Sequence, residues 1–295
     1  MVLGGLCRQW QRSVKKMTTV VLKSHAKVNI GLQILDQRWD GYHTIHTIFQ
    51  ELEFHDTITL EKRDNGCDFS SNVEWLKNDD SNLCVKAWQK LADIFGVGGI
   101  SIQLEKRIPA GAGLGGGSSN AATILKGLRQ LYELNVSDNE LESIGVELGA
   151  DVPFFIQGKT QLGEGIGDKL NPIESVFKGT YLLVVPNLHI DTKWAYGKAK
   201  NILDKPIEIV NFASFIRKGI IPFELFENDF EAIVVPAYPE IGQIKNSLRA
   251  HKARFASLSG SGSTVFGIFD EEADAKSAES YFSSRYNTFL TSPSH

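Results

Sequence analysis

Hydrophobic and polar residues alternate along two stretches of the chain with the two-residue period of a β-strand. Apolar residues stand at every second position from 28 to 34, and again from 100 to 104. Successive side chains of a strand point to opposite faces, so each stretch predicts a strand with one face in the core. Lys27 and Asn29 share the other face of the first strand, where they are either exposed to solvent or lining a cleft.

Two amphipathic helices are predicted in the middle of the chain. The first covers about 118–134, because apolar residues recur there at spacings of three and four. The second is expected to begin at Ser137, which fits a capping box with Glu140, and to end at Gly149. We expect the apolar segment 153–157 that follows to be a strand.

The second half of the chain predicts a separate layer of helices and strands. Its elements are a buried strand at 181–186, helices between 192 and 250, a hairpin of strands at 254–258 and 264–269, and a last helix at 272–284. We place the boundary near Gly158, which gives one domain over 17–158 and another over 159–295.

Composition narrows the classes of function. The net charge of −4 argues against nucleic acid as the main partner, and no apolar run reaches the ~18 residues of a membrane-spanning helix. The three cysteines, Cys7, Cys67 and Cys84, are far apart and predict neither a disulfide framework nor a zinc site.

Residues 1–16 are basic and contain no acidic side chain, and we expect them to lie outside the fold. They are either a targeting segment or sequence upstream of a working start at Met17. The first reading places the protein in a plastid stroma and the second in a bacterial cytoplasm.

The glycine-rich segment Pro109–Ala122 is the strongest chemical signal in the chain. Glycine permits positive φ and close approach of the backbone to a ligand, and the helix after the loop begins with free N–H groups that favour an anion. The segment therefore predicts a phosphate-binding site. The alternative is that it is only a flexible connection between a strand and a helix. A GxGxxG pattern is present, but Lys106 and Arg107 separate it from the preceding strand, so a dehydrogenase is a distant alternative.

Further candidate residues stand at turns. Asp40 and Gly41 predict a turn that presents Tyr42 and His43 together, whereas His46 lies on the other face of the same strand, so a shared metal ion is not expected. Asp151 follows the predicted end of a helix, where it is either a local cap or a general base. The SGSGS loop at 259–263 consists of small residues, which let a ligand come close to its N–H and hydroxyl donors. We expect this loop to face the glycine-rich segment.

Three motifs together resemble those of the GHMP kinase superfamily: KVN at residues 27–29, PAGAGLGGGSSNAA, and the late SGSGS loop. Within it, DGYHTI, NLCVKAW and GADVPFF resemble the branch that uses ATP to phosphorylate the 2-hydroxyl of a cytidine diphosphate conjugate in the non-mevalonate isoprenoid pathway. The resemblance implies an α+β fold of two domains, the first binding ATP and the second the substrate, with the active site in the cleft between them.

The resemblance also implies roles for single residues. Asp151 is expected to act as general base, assisted by Lys27, while the backbone of the glycine loop binds ATP, which is expected to carry Mg²⁺. Ser118 and Ser119 are expected to add hydroxyl contacts or a magnesium ligand. The ATP-binding set is Pro109, Ala110, Gly111, Ala112, Gly113, Leu114, Gly115, Gly116, Gly117, Ser118, Ser119 and Asn82. The substrate-binding set is Asn29, Tyr42, His43, Thr192 and Tyr196, with Trp194 as a rival to Tyr196 for stacking on cytosine.

Two alternatives stay open. One is another small-molecule kinase of the superfamily, of the mevalonate or homoserine type, against which DGYH argues. The other is a non-catalytic nucleotide-binding sensor, against which the presence of both Lys27 and Asp151 argues.

Overall fold

A computed structural model describes residues 18–174, 176–203, 208–219 and 221–294. The predictions for residues 1–16 and for Cys7 fall outside these ranges. Within them, every helix is too short or too polar to cross a lipid bilayer.

The first sheet has six strands. They are β1 (Thr19–Gln37), β2 (His43–Arg63), β3 (Cys67–Ser71), β4 (Gly99–Glu105), β5 (Thr160–Glu164) and β6 (Lys169–Pro172). The order is β3-β4-β2-β5-β6, with β1 also paired to β2, and only the β3–β4 pair is parallel. The strands predicted around 28–34 and 100–104 are confirmed, and the first is part of a longer hairpin that turns at Asp40 and Gly41.

Four helices belong to this half: α1 (Leu83–Phe95), α2 (Gly116–Tyr132), α3 (Asp138–Leu148) and α4 (Val152–Gln157). Helix α2 packs closely on the sheet at Gly127, where a Cβ would lie 2.5 Å from Leu60 and 2.6 Å from Leu22. Buried Leu125 and Leu128 join the same core. The predicted capping box of α3 is present.

The prediction of a strand at 153–157 is wrong, because these residues form helix α4. Pro153 stands in its first turn, where a missing N–H costs nothing, and the five residues from 152 to 156 are all buried. A short apolar run fits a buried strand and a buried helix equally well.

The second sheet has the order β10-β7-β9-β8 and is antiparallel throughout. Its strands are β7 (Thr180–Val185), β8 (Phe255–Leu258), β9 (Val265–Phe269) and β10 (Asn287–Thr291). The helices of this half are α5 (Thr192–Lys198), α6 (Lys200–Leu203), α7 (Phe212–Arg217), α8 (Glu231–Ala237), α9 (Pro239–Ala250) and α10 (Glu272–Phe282), with a 3₁₀ turn at Phe223–Leu225. The buried strand, the hairpin and the last helix predicted here are confirmed.

The fold is α+β, as predicted, but the sheets divide later than Gly158. Strands β5 and β6 continue the first sheet to Pro172, and the second sheet begins at Thr180. Strand β1 also binds the second half of the chain, since the Leu32 N–H donates to the Glu227 carbonyl and the Asp229 N–H donates to the Leu32 carbonyl. These bonds hold the two halves together at the edge of a cleft.

Candidate active site

A cavity of about 720 Å³ lies between the two halves. Its walls come from β1, β2, the glycine loop, the start of α4, helix α5 and the loop between β8 and β9. It brings together these predicted residues: Lys27, Asn29, Tyr42, His43, Gly111, Gly113, Gly115, Ser118, Asp151, Thr192 and Tyr196. The predicted substrate-binding residues therefore come from both halves of the chain, and not from the second alone.

The other members of the predicted ATP-binding set do not line this cavity. They are Pro109, Ala110, Ala112, Leu114, Gly116, Gly117, Ser119 and Asn82. The carbonyl of Leu114 accepts from the Lys27 N–H at 3.0 Å, and the Ser119 hydroxyl lies 2.8 Å from that of Ser24, within the protein. Asn82 caps α1, because its side-chain oxygen accepts from the Cys84 N–H at 2.9 Å.

The glycine loop is held against the hairpin loop between β8 and β9. The Ser259 hydroxyl donates to the Gly113 carbonyl at 2.8 Å, and the Thr264 N–H donates to the Ala112 carbonyl at 3.1 Å. Gly113 has φ +78°, and a Cβ there would lie 2.1 Å from the Ser259 carbonyl oxygen. The expectation that the two loops face each other is thus confirmed, and glycine is required at this position.

The loop leads into the N-terminus of α2. Gly115, at φ +70°, precedes the helix and brings no side chain to cap it, and the first turn contains no acidic residue. The first N–H groups of a helix lack intrahelical partners and lie at the positive end of its dipole. Ser118 in this turn lines the cavity. This part of the cavity wall therefore favours an anion.

Lys27 is almost fully buried and points into the cavity from β1. Its ammonium donates to the Asn29 side-chain oxygen at 2.6 Å and lies 3.6 Å from a carboxylate oxygen of Asp151. The amide nitrogen of Asn29 donates to the Thr47 hydroxyl at 3.0 Å, which donates to the Gly31 carbonyl at 2.7 Å. This chain of bonds orients the amide so that its oxygen faces the lysine.

Asp151 precedes α4 but does not cap it, since its side chain accepts no hydrogen bond from the backbone of the helix. The side chain is 34% exposed and lines the cavity opposite Lys27. Of the two readings of its sequence position, the local cap is therefore wrong.

Aromatic residues form the other end of the cavity. The ring of His43 stacks on that of Tyr196, with centroids 4.9 Å apart. Trp194 instead contacts Tyr238, so Tyr196 is the aromatic residue of α5 that lines the cavity. Tyr42 is 58% exposed at the rim, where its N–H donates to the Asp40 carboxylate at 3.1 Å.

His43 contributes an imidazole with an unpartnered ring nitrogen to this end of the cavity. Its Nε2 is buried and has no hydrogen-bond partner among the described residues. Burial lowers the pKa of His43 below its ordinary value, and the nearby charge of Asp36 opposes this shift in part. The imidazole is therefore neutral near pH 7, when one nitrogen donates and the other accepts.

A buried ion pair that the sequence does not predict lies beside the glycine loop. Lys106 Nζ lies 2.6 Å from Asp56 Oδ2, and the other carboxylate oxygen accepts from the N–H groups of Arg107 and Ile108 at 2.6 and 2.7 Å. The Asn120 amide of α2 donates to Asp56 at 2.8 Å. The pair thus connects β2, the segment before the loop and the helix after it. Asp56 is 50 residues from Lys106, so no local pattern announces the contact.

Asn228 was missed for the same reason. Its amide donates to the carbonyls of Leu258 and Gly260, both at 2.8 Å, and so it holds the hairpin loop from the side of α8.

Two family descriptions match the chain: GHMP kinases N terminal domain over residues 82–159 and GHMP kinases C terminal over residues 218–288. The 4-diphosphocytidyl-2-C-methyl-D-erythritol kinase of Prosthecochloris aestuarii is 38% identical over 282 residues, which cover 93% of this chain and 98% of that protein. The enzyme of that name from Chlorobium chlorochromatii is 42% identical over 279 residues, covering 91% and 95%. A crystal structure of 4-(cytidine 5'-diphospho)-2C-methyl-D-erythritol kinase superposes with a TM-score of 0.81 at 30% identity, covering 94% of this chain and 100% of the other.

Proposed function

The chain belongs to the 4-diphosphocytidyl-2-C-methyl-D-erythritol kinases of the GHMP kinase family, and from this membership we propose that it phosphorylates that substrate with ATP. The acceptor group is the 2-hydroxyl, and the products are ADP and the 2-phosphate. The observation that carries the proposal is the placement of Lys27 and Asp151 opposite an anion-binding helix terminus in one cavity.

Asp151 is the general base of the proposed reaction. Its carboxylate accepts the proton of the hydroxyl as the hydroxyl oxygen bonds to the γ-phosphorus of ATP. The bond from that phosphorus to the β–γ bridging oxygen breaks, and ADP leaves with the electron pair. Lys27 lies 3.6 Å from the Asp151 carboxylate, where its positive charge stabilises the negative charge on the transferred group.

The glycine loop positions the phosphates of ATP. Gly111, Gly113 and Gly115 line the cavity with backbone alone, so N–H groups approach the phosphates without side chains between them. Because the hairpin loop clamps Gly113, the loop is fixed before the nucleotide binds, which is the preorganisation that phosphoryl transfer requires.

A Mg²⁺ ion bound with ATP would neutralise charge on the phosphates. Of the two serines after the loop, Ser118 is the one whose hydroxyl would reach the ion, since it lines the cavity while the Ser119 hydroxyl is bound to Ser24. Hydroxyl, phosphate and water oxygens are ligands that Mg²⁺ prefers.

The cytosine of the acceptor lies at the aromatic end of the cavity in this proposal. The free nitrogen of His43 reads an edge of the base, and the rings of Tyr42 and Tyr196 stack on it. Asn29 and Thr192 also line the cavity, and in this proposal they contact the methylerythritol portion.

The direct test is ATP-dependent phosphorylation of 4-diphosphocytidyl-2-C-methyl-D-erythritol by the purified protein, with mevalonate and homoserine assayed beside it. We expect ADP release and a phosphorylated product from the first acceptor only. Turnover of mevalonate or homoserine at a comparable kcat/KM would contradict the proposal in favour of another GHMP kinase, and ATP binding without any turnover would favour the sensor.

A further inference from the structure

Two cationic side chains line the cavity among the residues that the structure describes, Lys27 and Lys193. Lys27 is already engaged by Asn29 and Asp151. Lys193 is exposed to the cavity, and the structure records no ion pair or hydrogen bond of its side chain with another described residue. The cavity therefore contains one cation that the proposed chemistry leaves unused.

The backbone beside Lys193 is firmly held. The Asp191 carboxylate caps α5 by accepting from the Trp194 N–H at 2.7 Å, and the Thr192 hydroxyl lies 3.0 Å from that of Ser261 in the hairpin loop. Lys193 and Tyr196 are three residues apart on α5, so they lie on the same side of the helix, and both line the cavity. The ammonium thus extends from a fixed point next to the aromatic end.

The acceptor of the proposed function has a diphosphate in its middle, between the cytidine and the methylerythritol. If the base lies at His43 and Tyr196 and the reacting hydroxyl at Asp151, the diphosphate must lie between those two places. Two acidic side chains, Asp40 and Asp151, line the same cavity and would repel it. A further cation is needed there besides Lys27, which serves the reacting phosphoryl group.

We propose that Lys193 binds the diphosphate of the acceptor and so makes the enzyme select a nucleoside diphosphate conjugate over an uncharged alcohol. The inference rests on the proposed function and adds a specificity-determining residue to it. Because Lys193 is exposed, the interaction is screened by salt, and its contribution falls as ionic strength rises.

The test compares K193M with K198M, a matched control in which a lysine of the last turn of the same helix, outside the cavity lining, is replaced. Methionine keeps the helix propensity and the length of the side chain, and removes only the charge. Calorimetry gives the dissociation constants of cytidine and of cytidine diphosphate for each protein, and steady-state kinetics gives KM for the acceptor and for ATP.

In the wild type and K198M we expect cytidine diphosphate to bind more tightly than cytidine. In K193M we expect this preference to shrink roughly 3- to 10-fold, as for the loss of one exposed charge-assisted contact, with the affinity for cytidine unchanged. KM for the acceptor should rise by a similar factor while KM for ATP stays the same. K193R should restore most of the preference, and about 0.5 M salt should reduce it in the wild type more than in K193M.

An unchanged preference in K193M would overturn the inference, as would a rise in KM for ATP alone, which would place Lys193 on the other nucleotide. Failure of the proposed function would give a different result from these outcomes. If the proposed function is wrong, the wild type does not phosphorylate the acceptor at all, whatever the variants bind.

Discussion

The ammonium of Lys27 is closer to the amide oxygen of Asn29, at 2.6 Å, than to the carboxylate of Asp151, at 3.6 Å. The amide therefore holds the lysine, and the lysine does not depend on Asp151 for its position. Asp151 keeps its side chain partly exposed to the cavity, where a substrate hydroxyl can reach it. Two different residues therefore position the ammonium and accept the proton: Asn29 holds Lys27, and Asp151 is the proposed base.

This separation gives a prediction for Asp151→Asn. The change keeps the shape of the side chain and removes the base, so kcat should fall roughly 10²- to 10⁴-fold. Since Asn29 still holds Lys27, the dissociation constant for ATP should change little. Single-turnover kinetics and ATP titration measure the two effects, and near-normal turnover would remove Asp151 from the role.

His43→Ala should act on the acceptor alone. The substitution removes the ring that stacks on Tyr196 and the nitrogen without a partner, so KM for the cytidine conjugate should rise while KM for ATP stays nearly constant. His46→Ala is a matched control, because that imidazole is on the same strand but stacks on Phe212 outside the cavity. Equal effects of His43→Ala on both substrates would refute the assignment of His43 to the base.

The binding of the acceptor should depend on pH through His43. Burial lowers the pKa of this imidazole below its ordinary 6.5, so the ring is neutral above that pH and gains a proton only below it. If the neutral ring binds cytosine, affinity is fully present above pH 6.5 and is lost as the pH falls through the lowered pKa. Cytidine titrations across this range should show the loss in the wild type, and His43→Gln should flatten it. A profile that instead weakens toward high pH would mean that the charged ring is the binding form.

The buried pair of Asp56 and Lys106 should be important for stability. Asp56→Asn leaves an ammonium in the interior without its counter-charge, and such changes cost about 3 to 5 kcal/mol of unfolding free energy. Denaturant unfolding measures the loss. Asp274→Asn breaks the exposed pair with Lys252 and should cost at most ~1 kcal/mol. Equal and small losses would show that the buried pair adds no more than a surface one.

The features of this molecule that can be predicted from the sequence are those that depend on residues close together in the chain. The glycine loop and α2 follow from φ preferences and from apolar spacing within a few residues, and the capping box at Ser137 is equally local. The prediction of a strand in place of helix α4 is wrong because its five apolar residues fit either period, and because its burial depends on neighbours elsewhere in the sequence.

The site was only partly predictable for the same reason. Alternation places Lys27 and Asn29 on one face but leaves open whether that face is exposed. The cleft around them also includes residues more than 100 positions away, such as Asp151 and Gly260. Their connection with Asp151 came from the family resemblance. Asp56 and Asn228, which support the two loops, act across the fold and have no signal in their own segments.

The clamp between the two loops makes a final prediction, for Gly113→Ala. A methyl group there would stand 2.1 Å from the Ser259 carbonyl oxygen, so the glycine loop and the hairpin loop must separate. Gly66→Ala is the matched control, since Gly66 has a similar φ of +71° but nothing within 4 Å of the added carbon. In both variants the positive φ costs about 1 to 3 kcal/mol of backbone strain. Only Gly113→Ala should also raise KM for ATP and lower kcat, because only in that variant does the phosphate-binding backbone move. Kinetics and thermal unfolding of the two proteins separate strain from displacement, and identical kinetic effects would show that the clamp does not position the loop.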